Sequence, residues 1–245
     1  MPSATSEARR LAAAALLAAA LPAAAAETPQ ELLEATDLFA HAPASLRLRL
    51  EVGAEGSEKR SALEIYRSGD ERALVRLLDP RDAGKFVLRR GDDLWFLAPN
   101  ARPVRLGASY RLQGGAALDE LLGLALARDY AIDGYEAANG VATFDLAAKG
   151  PSAPYPRVRW AVDVARRRPL RAELRARDGR TLRVLELRSW LDARALVPGE
   201  VAIADLVRGG PKLVARFLEV EPGELSEALF ELDDGGARRR LTSAP

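Results

Sequence analysis

Hydrophobic and polar residues alternate along much of the chain. In residues 46–52, Leu and Val occupy every second position and charged residues stand between them. In a strand, this spacing places the apolar side chains on one face and the charged ones on the other. Similar short runs recur between turn signals such as Asn139-Gly140, whose residues tolerate the positive φ of a type I′ turn. The pattern predicts an antiparallel meander of about ten short strands with one apolar face.

Three departures from strict alternation add detail. Residues 29–41 have helical spacing, with Thr28 as a cap and Pro29 in the first turn. Residues 118–127 predict a second helix, with Leu118, Leu121 and Leu122 on one side. In the strand beginning at Thr181, the alternation changes phase near Val184-Leu185, so we expect a β-bulge there.

A long sheet with one apolar face needs a cover, and two short helices supply only part of one. The sheet could close on itself, pack against a second sheet, or form an incomplete barrel partly filled by the helices. The last arrangement leaves an apolar cavity, which is a common form of ligand site.

The first residues have the pattern of a secretory signal. Arg9 and Arg10 precede a short Leu- and Ala-rich run, and small residues end it at Ala26. We expect cleavage after Ala26; an uncleaved anchor helix is the alternative. Removing residues 1–26 takes away two Arg and one Glu and leaves no net charge. We therefore expect a soluble periplasmic domain over 27–237, followed by a polar tail over 238–245.

The composition limits the possible chemistry. The chain of 245 residues has no Cys and one His, His41, which argues against a thiolate or multi-His metal site. A net charge of +1 gives no electrostatic reason to expect nucleic-acid binding. No Ser has a visible His partner, so a hydrolase is the least favoured interpretation. We predict no enzyme activity, no cofactor and no metal.

Several stretches resemble a known family: residues 74–85, 88–99, 104–106, 111–115, 121–122 and 128–130. In these stretches the chain resembles the periplasmic outer-membrane lipoprotein-sorting proteins, the LolA/LolB-like superfamily, and in particular its uncharacterised, transporter-associated branch. The resemblance implies an open antiparallel half-barrel with helices covering an apolar cavity. It also implies binding of membrane lipid or of the acyl chains of a lipoprotein, with an inner-membrane transporter as a possible partner.

The alternation supplies candidates for the lining of that cavity. Each of them is also a reasonable member of an ordinary core. The run Leu94 to Leu97 is apolar on both faces, so at least one of its two aromatic residues should pack under a helix instead. The candidates are Leu48, Leu50, Leu63, Ile65, Trp95, Phe96, Val158, Trp160, Val162, Leu170 and Leu174.

One arginine and one run of three arginines could each have either a functional or a purely structural role. The resemblance implies that an Arg at the end of an early strand helps to hold a helical lid, and Arg67 has the matching place. Ser68 follows it where the family has Pro, so a solvated strand-end Arg is the alternative. Residues 166–168 are three arginines that suit a lipid headgroup, an acidic partner, or simply a solvated hairpin tip.

The leading hypothesis is a monomeric carrier that shields acyl chains from water. The alternative is an interaction module that docks on an envelope transporter complex and carries no lipid.

Overall fold

The computed structural model describes residues 27–107, 110–112, 115–233 and 238. The predicted signal segment lies outside these residues, and so does the predicted tail except for Arg238. The guanidinium of Arg238 donates to the backbone carbonyl of Leu232 at 3.0 Å.

Strands dominate the fold and form one antiparallel sheet, as the alternation predicts. The sheet has thirteen strands in the order β6-β5-β4-β3-β2-β1-β13-β12-β11-β10-β9-β8-β7. It is open, because β6 and β7 are edges that do not pair with each other. The strands are β1 Ser45–Ala54, β2 Ser61–Ser68, β3 Arg72–Leu77, β4 Phe86–Arg90, β5 Asp93–Leu97, β6 Val104–Leu106, β7 Tyr130–Ala138, β8 Val141–Ala148, β9 Arg157–Asp163, β10 Arg168–Arg175, β11 Thr181–Asp192, β12 Val197–Asp205 and β13 Leu213–Pro222.

The expected count of about ten strands is too low. β6 has only three residues, and most side chains of β7 after Tyr130 are not buried, so neither has a clear alternation. The hairpin between β7 and β8 is as predicted, because Asn139 and Gly140 both have positive φ, 52° and 79°. The bulge in β11 occurs at Leu182 and again after Leu187, not at Val184-Leu185.

The topology explains why helices cover the sheet. β1 pairs with β13 and joins two meanders, β1–β6 and β7–β13. The chain must then pass from one edge of the sheet to the other between β6 and β7. This connection carries α2 (Leu118–Leu122) and α3 (Leu126–Asp129), and we call residues 115–129 the lid.

Both predicted helices are shorter than their patterns suggest. α1 covers Pro29–Thr36, and it ends there because Phe39 has a φ of 62° and its N–H donates to the Leu196 carbonyl. The second helix is broken into α2 and α3 at Gly123, which has a φ of 89°. A Cβ at Gly123 would lie 3.2 Å from Leu38, so both backbone geometry and space favour glycine there.

The two faces of the sheet carry separate apolar clusters. The inner face packs against α1 and the lid and forms the main core. On the outer face, a smaller cluster from β2–β5 is covered by the C-terminal 3₁₀ turn Glu227–Phe230. In the described part of the chain, no helix has the length and hydropathy needed to cross a membrane.

Candidate functional site

Most predicted lining residues lie together on the inner face, as their alternation requires. They pack with Leu118, Leu121 and Leu122 of the lid. Each is 1% exposed or less, so the segments packed on the inner face, α1 and the lid among them, leave no open apolar cavity over these side chains. They are Leu48, Leu50, Leu63, Ile65, Val158, Trp160, Val162 and Leu174.

Two of the candidates do not join this group. Leu170 is 40% exposed, because a bulge between Pro169 and Arg171 breaks the alternation of β10. Trp95 points to the outer face and packs against the cluster under the C-terminal 3₁₀ turn. Its neighbour Phe96 packs, half-buried, against the inner cluster. One aromatic residue of this pair thus packs under a helical turn, as expected.

The lid is attached to one half of the sheet through a buried ion pair. The Nε atom of Arg183, at the start of β11, lies 3.0 Å from Glu120 Oε1 of α2. This is an ion pair and not a hydrogen bond, since that N–H has no aligned acceptor. The hydroxyl of Tyr155 donates to the same oxygen at 2.7 Å, and the N–H of Ala117 donates to Oε2 at 2.9 Å. Burial raises the pKa of Glu120, and the nearby Arg183 opposes that rise.

The neighbouring residue attaches the lid to the other half of the sheet. Asp119 Oδ1 accepts a hydrogen bond from Arg89 of β4 at 2.8 Å. Burial raises the pKa of Asp119, and the charge of Arg89 opposes the rise. Adjacent acidic residues of α2 therefore hold β4 in the first meander and β11 in the second. Opening the lid requires breaking both contacts.

A third contact joins α1 to the lid. Asp37, directly after α1, accepts a hydrogen bond from the Ala127 N–H at 3.2 Å. Its other carboxylate oxygen is buried and has no partner among the described residues. Burial raises the pKa of Asp37 to about 6, and the negative charge of Asp70 adds to the rise. A proton on the unpartnered oxygen would remove the buried charge and leave the bond to Ala127 in place.

We predict that Asp37 makes stability fall with rising pH. Its pKa is about 6 in the folded chain and about 3.8 otherwise, so the folded state binds more protons between these values. The free energy of unfolding should drop by roughly 2 kcal/mol as the pH rises from about 4 to 6. Asp37→Asn keeps the acceptor and should remove this drop. Urea unfolding of both proteins across this range measures it, and equal pH dependence would refute it.

Arg67 lies on the inner face, in phase with Leu63 and Ile65, at the end of β2. It is buried, so the solvated strand-end alternative does not hold. Its guanidinium carbon is 5.2 Å from the centre of the Phe39 ring, and Nη2 donates to Asp70. Burial lowers the pKa of Arg67, and Asp70 opposes that effect. Arg67 thus contacts the segment after α1 and the turn between β2 and β3, rather than the lid itself.

A cavity of about 1100 Å³ opens beside the lid. Arg67, Arg89 and Arg128 line it together with several carboxylates, among them Asp37, Asp70 and Asp119. Apolar lid residues, including Leu122 and Leu124, form part of its wall. The cavity is therefore an open mouth at the edge of the lid with a mixed polar and apolar lining, and not the purely apolar cavity that the resemblance implies.

The remaining candidates are not part of this site. His41 is exposed, with its Nε2 3.3 Å from the Ala35 carbonyl oxygen. Arg166 pairs with Asp163, and Arg167 pairs with Glu27 at 2.8 Å. The described residues contain no group of three or more His, Asp or Glu side chains placed to hold a metal.

The attachment points of the lid are absent from the sequence-based candidates. Arg89 and Arg183 occupy inward-facing positions in their strands, where the alternation calls for an apolar residue. A charged residue in that phase is a usable signal, because burying it requires a partner. Asp119 and Glu120 have no such signal, since acidic residues in a first helical turn are common.

The chain matches the model of a protein family. The model described as "-like: Uncharacterized protein" matches residues 69–234, more than half of the chain. The chain belongs to this family. The matched part holds the lid and every strand from β3 to β13, whereas α1, β1 and β2 precede it. No curated protein matches.

Solved structures show that this family member has the LolA-like fold. A LolA superfamily protein from Nitrosomonas europaea aligns with a TM-score of 0.68 at 21% identity, covering 84% of this chain and 98% of that one. A domain named for outer membrane lipoprotein sorting, from Vibrio parahaemolyticus, aligns at 0.62 and 18% identity, covering 86% and 96%. A DUF1329 family protein from Desulfovibrio piger aligns at 0.57 and 18%, covering 78% and 90%. At these identities the likeness establishes the fold alone.

Proposed function

We propose that this chain is a periplasmic carrier that shields the acyl chains of a lipid or lipoprotein on its way towards the outer membrane. The observation that carries the proposal is the cover of the inner face. Short helical segments, those of α1 and of the lid, cover the apolar surface, where a second sheet would be a permanent cover. An acyl chain could take the place of the lid.

The energetics favour such an exchange. Each methylene moved out of water contributes about 0.8 kcal/mol, so a chain of about fifteen carbons gains on the order of 10 kcal/mol from shelter. Opening the lid exposes Leu118, Leu121 and Leu122 and breaks the ion pair of Glu120. A bound acyl chain would cover the exposed sheet and offset part of that cost.

The N-terminal residues support the proposed location. Residues 1–26 have the charge, length and small-residue end of a secretory signal. The lipoprotein-sorting domain from Vibrio parahaemolyticus has the same fold. Cargo handed over at an inner-membrane transporter and released at the outer membrane would fit an exported monomer of this kind. Within the described part of the chain, the hydrogen bond of the lone His41 is to the Ala35 backbone carbonyl, which supports a non-enzymatic role.

The closely packed inner face also favours a second candidate. A chain with this fold could dock on an envelope transporter complex and carry nothing, its inner face serving only as a core. The two candidates differ in whether the purified protein contains bound lipid.

The experiment is lipid analysis of the protein recovered from its membrane-containing host. Mass spectrometry of the gently purified protein should find an acyl-bearing lipid at about one per chain, as expected for a single sheltered site. Urea-washed protein, returned to buffer without lipid, is the control and should lack that mass. No bound lipid in the gently purified protein, together with no uptake from added lipid, would refute the carrier and favour the docking module.

A further inference from the structure

Two large apolar side chains stand in water at the tip of the hairpin between β12 and β13. Leu206 is 57% exposed and Val207 is 60% exposed. Among the large apolar residues of the described chain, these are the highest exposures. Neither side chain packs against the inner or the outer cluster. We call residues 206–211 the tip.

The backbone holds the tip in a defined conformation. Asp205 Oδ1 accepts hydrogen bonds from the Val207 N–H at 3.0 Å and from the Arg208 N–H at 2.9 Å. The N–H of Gly209 donates to the Asp205 carbonyl, and the N–H of Leu206 donates to the Leu182 carbonyl, each at 2.9 Å. Gly209 has a φ of 69°, which glycine adopts at low cost. These hydrogen bonds thus hold the turn in the conformation in which Leu206 and Val207 are exposed.

Three arginines with no ion pair among the described residues lie on the tip and on the hairpin next to it. Arg208 belongs to the tip, and Arg177 and Arg180 belong to the neighbouring hairpin, residues 176–180. All three are exposed, and their guanidinium groups have no hydrogen bond or ion pair within the described part of the chain. The acidic residue of that hairpin, Asp178, accepts a bond from the backbone N–H of Arg180. Most other surface arginines named above have carboxylate partners.

We propose that the tip docks on an anionic lipid bilayer, with Leu206 and Val207 entering the interface and the three arginines contacting lipid phosphates. A convex tip with two aliphatic side chains suits a bilayer, whereas a stable protein interface needs a much broader surface. Apolar insertion and basic residues act together in weak, reversible membrane binding. The proposal does not depend on cargo and goes beyond the carrier function.

The tip lies close to an attachment point of the lid. Asp205, which caps the turn, has its Oδ2 atom 4.0 Å from Arg183, and Arg183 holds Glu120 of the lid. Docking through the tip would therefore bring this end of the lid towards the bilayer surface.

The opposite end of β10 supplies a matched control. Val164 and Leu170 are also an exposed aliphatic pair, at 37% and 40% exposure, beside the hairpin of residues 164–167. There, however, two of the three arginines are paired, Arg166 with Asp163 and Arg167 with Glu27, and the third, Arg168, is half-buried. The control pair thus matches in side-chain type, and the arginines beside it carry less free charge.

The test is co-sedimentation with vesicles of phosphatidylcholine, with and without about a third of phosphatidylglycerol. The full chain is compared with Leu206→Ser/Val207→Ser, with Arg177→Ser/Arg180→Ser/Arg208→Ser, and with the control Val164→Ser/Leu170→Ser. All four proteins begin at the same residue, so they differ only in the substituted side chains. We expect the full chain to prefer the anionic vesicles, each tip variant to bind about tenfold more weakly, and the control to be unchanged.

The variants should fold like the full chain. Their circular dichroism spectra should be the same, because every substituted side chain is at the surface. Equal sedimentation of the full chain and both tip variants would overturn the proposal. The proposal would also be overturned if the full chain did not bind vesicles. If, in addition, the tip variants lost cross-linking to an envelope protein, the tip would be a protein-binding surface.

Discussion

Replacing Glu120 with Gln is expected to lower the free energy of unfolding by roughly 3–5 kcal/mol, measured by urea denaturation at neutral pH. The side chain of Arg183 is only 6% exposed, and the variant leaves its charge without the carboxylate 3.0 Å away. The remaining carboxylate, that of Asp205, is 4.0 Å from Arg183. Gln retains the size of Glu, so the loss reports the buried charge and not a cavity.

A double variant provides the control for this result. Glu120→Leu combined with Arg183→Met removes the unpaired charge and should recover part of the lost stability. The recovery is incomplete because the Tyr155 hydroxyl and the Ala117 N–H lose their acceptor. A loss below about 1 kcal/mol for Glu120→Gln alone would mean that the lid is not held by this ion pair.

Replacing Trp160 with Ala is the second large effect, at roughly 3–5 kcal/mol of unfolding free energy. Trp160 is among the largest fully buried side chains and lies on the inner face of β9. Its strand neighbours are Phe144 on β8 and Ala172 on β10. Removing the indole would leave a cavity in the inner core, and chemical denaturation measures its cost.

Trp160→Phe shows how much of the stability contributed by this side chain comes from its volume and how much from its indole N–H. The indole N–H has no partner among the described residues, so little hydrogen bonding is lost when it is removed. The Phe variant should therefore be clearly more stable than the Ala variant. If the two variants lose equal stability, the indole does not fill the inner face in the way described.

Alternation predicts the faces of the sheet well wherever a strand is regular. Leu48, Leu50, Leu63 and Ile65 all lie on the predicted inner face, because side chains in a regular strand point to opposite faces in turn. Leu170 is different, since one extra residue in β10 shifts the alternation of its neighbours to the other face. A bulge of this kind depends on pairing with the neighbouring strand, which a single run of residues does not record.

The lid attachments show a second limit. The positions of Arg89 and Arg183 on the inner face follow from the phase of their strands. Their partners do not, because Glu120 and Arg183 are far apart in sequence and meet only when the connection crosses the sheet. The break at Gly123 likewise depends on the close approach of Leu38, which only the folded chain brings there.

If an acyl chain takes the place of the lid on the inner face, a looser lid should bind it more tightly. Binding of a fluorescent long-chain fatty acid is therefore measured for the full chain, for Glu120→Gln and for Phe230→Ala. Phe230 is a matched control, because it is equally buried but lies in the outer cluster, away from the lid.

Loosening the lid raises the fraction of chains that can bind, and apparent affinity follows that fraction. We therefore predict saturable binding to all three proteins, about tenfold tighter for Glu120→Gln and unchanged for Phe230→Ala. Absence of saturable binding, or an equal gain in the Phe230→Ala control, would contradict the exchange of lid for acyl chain.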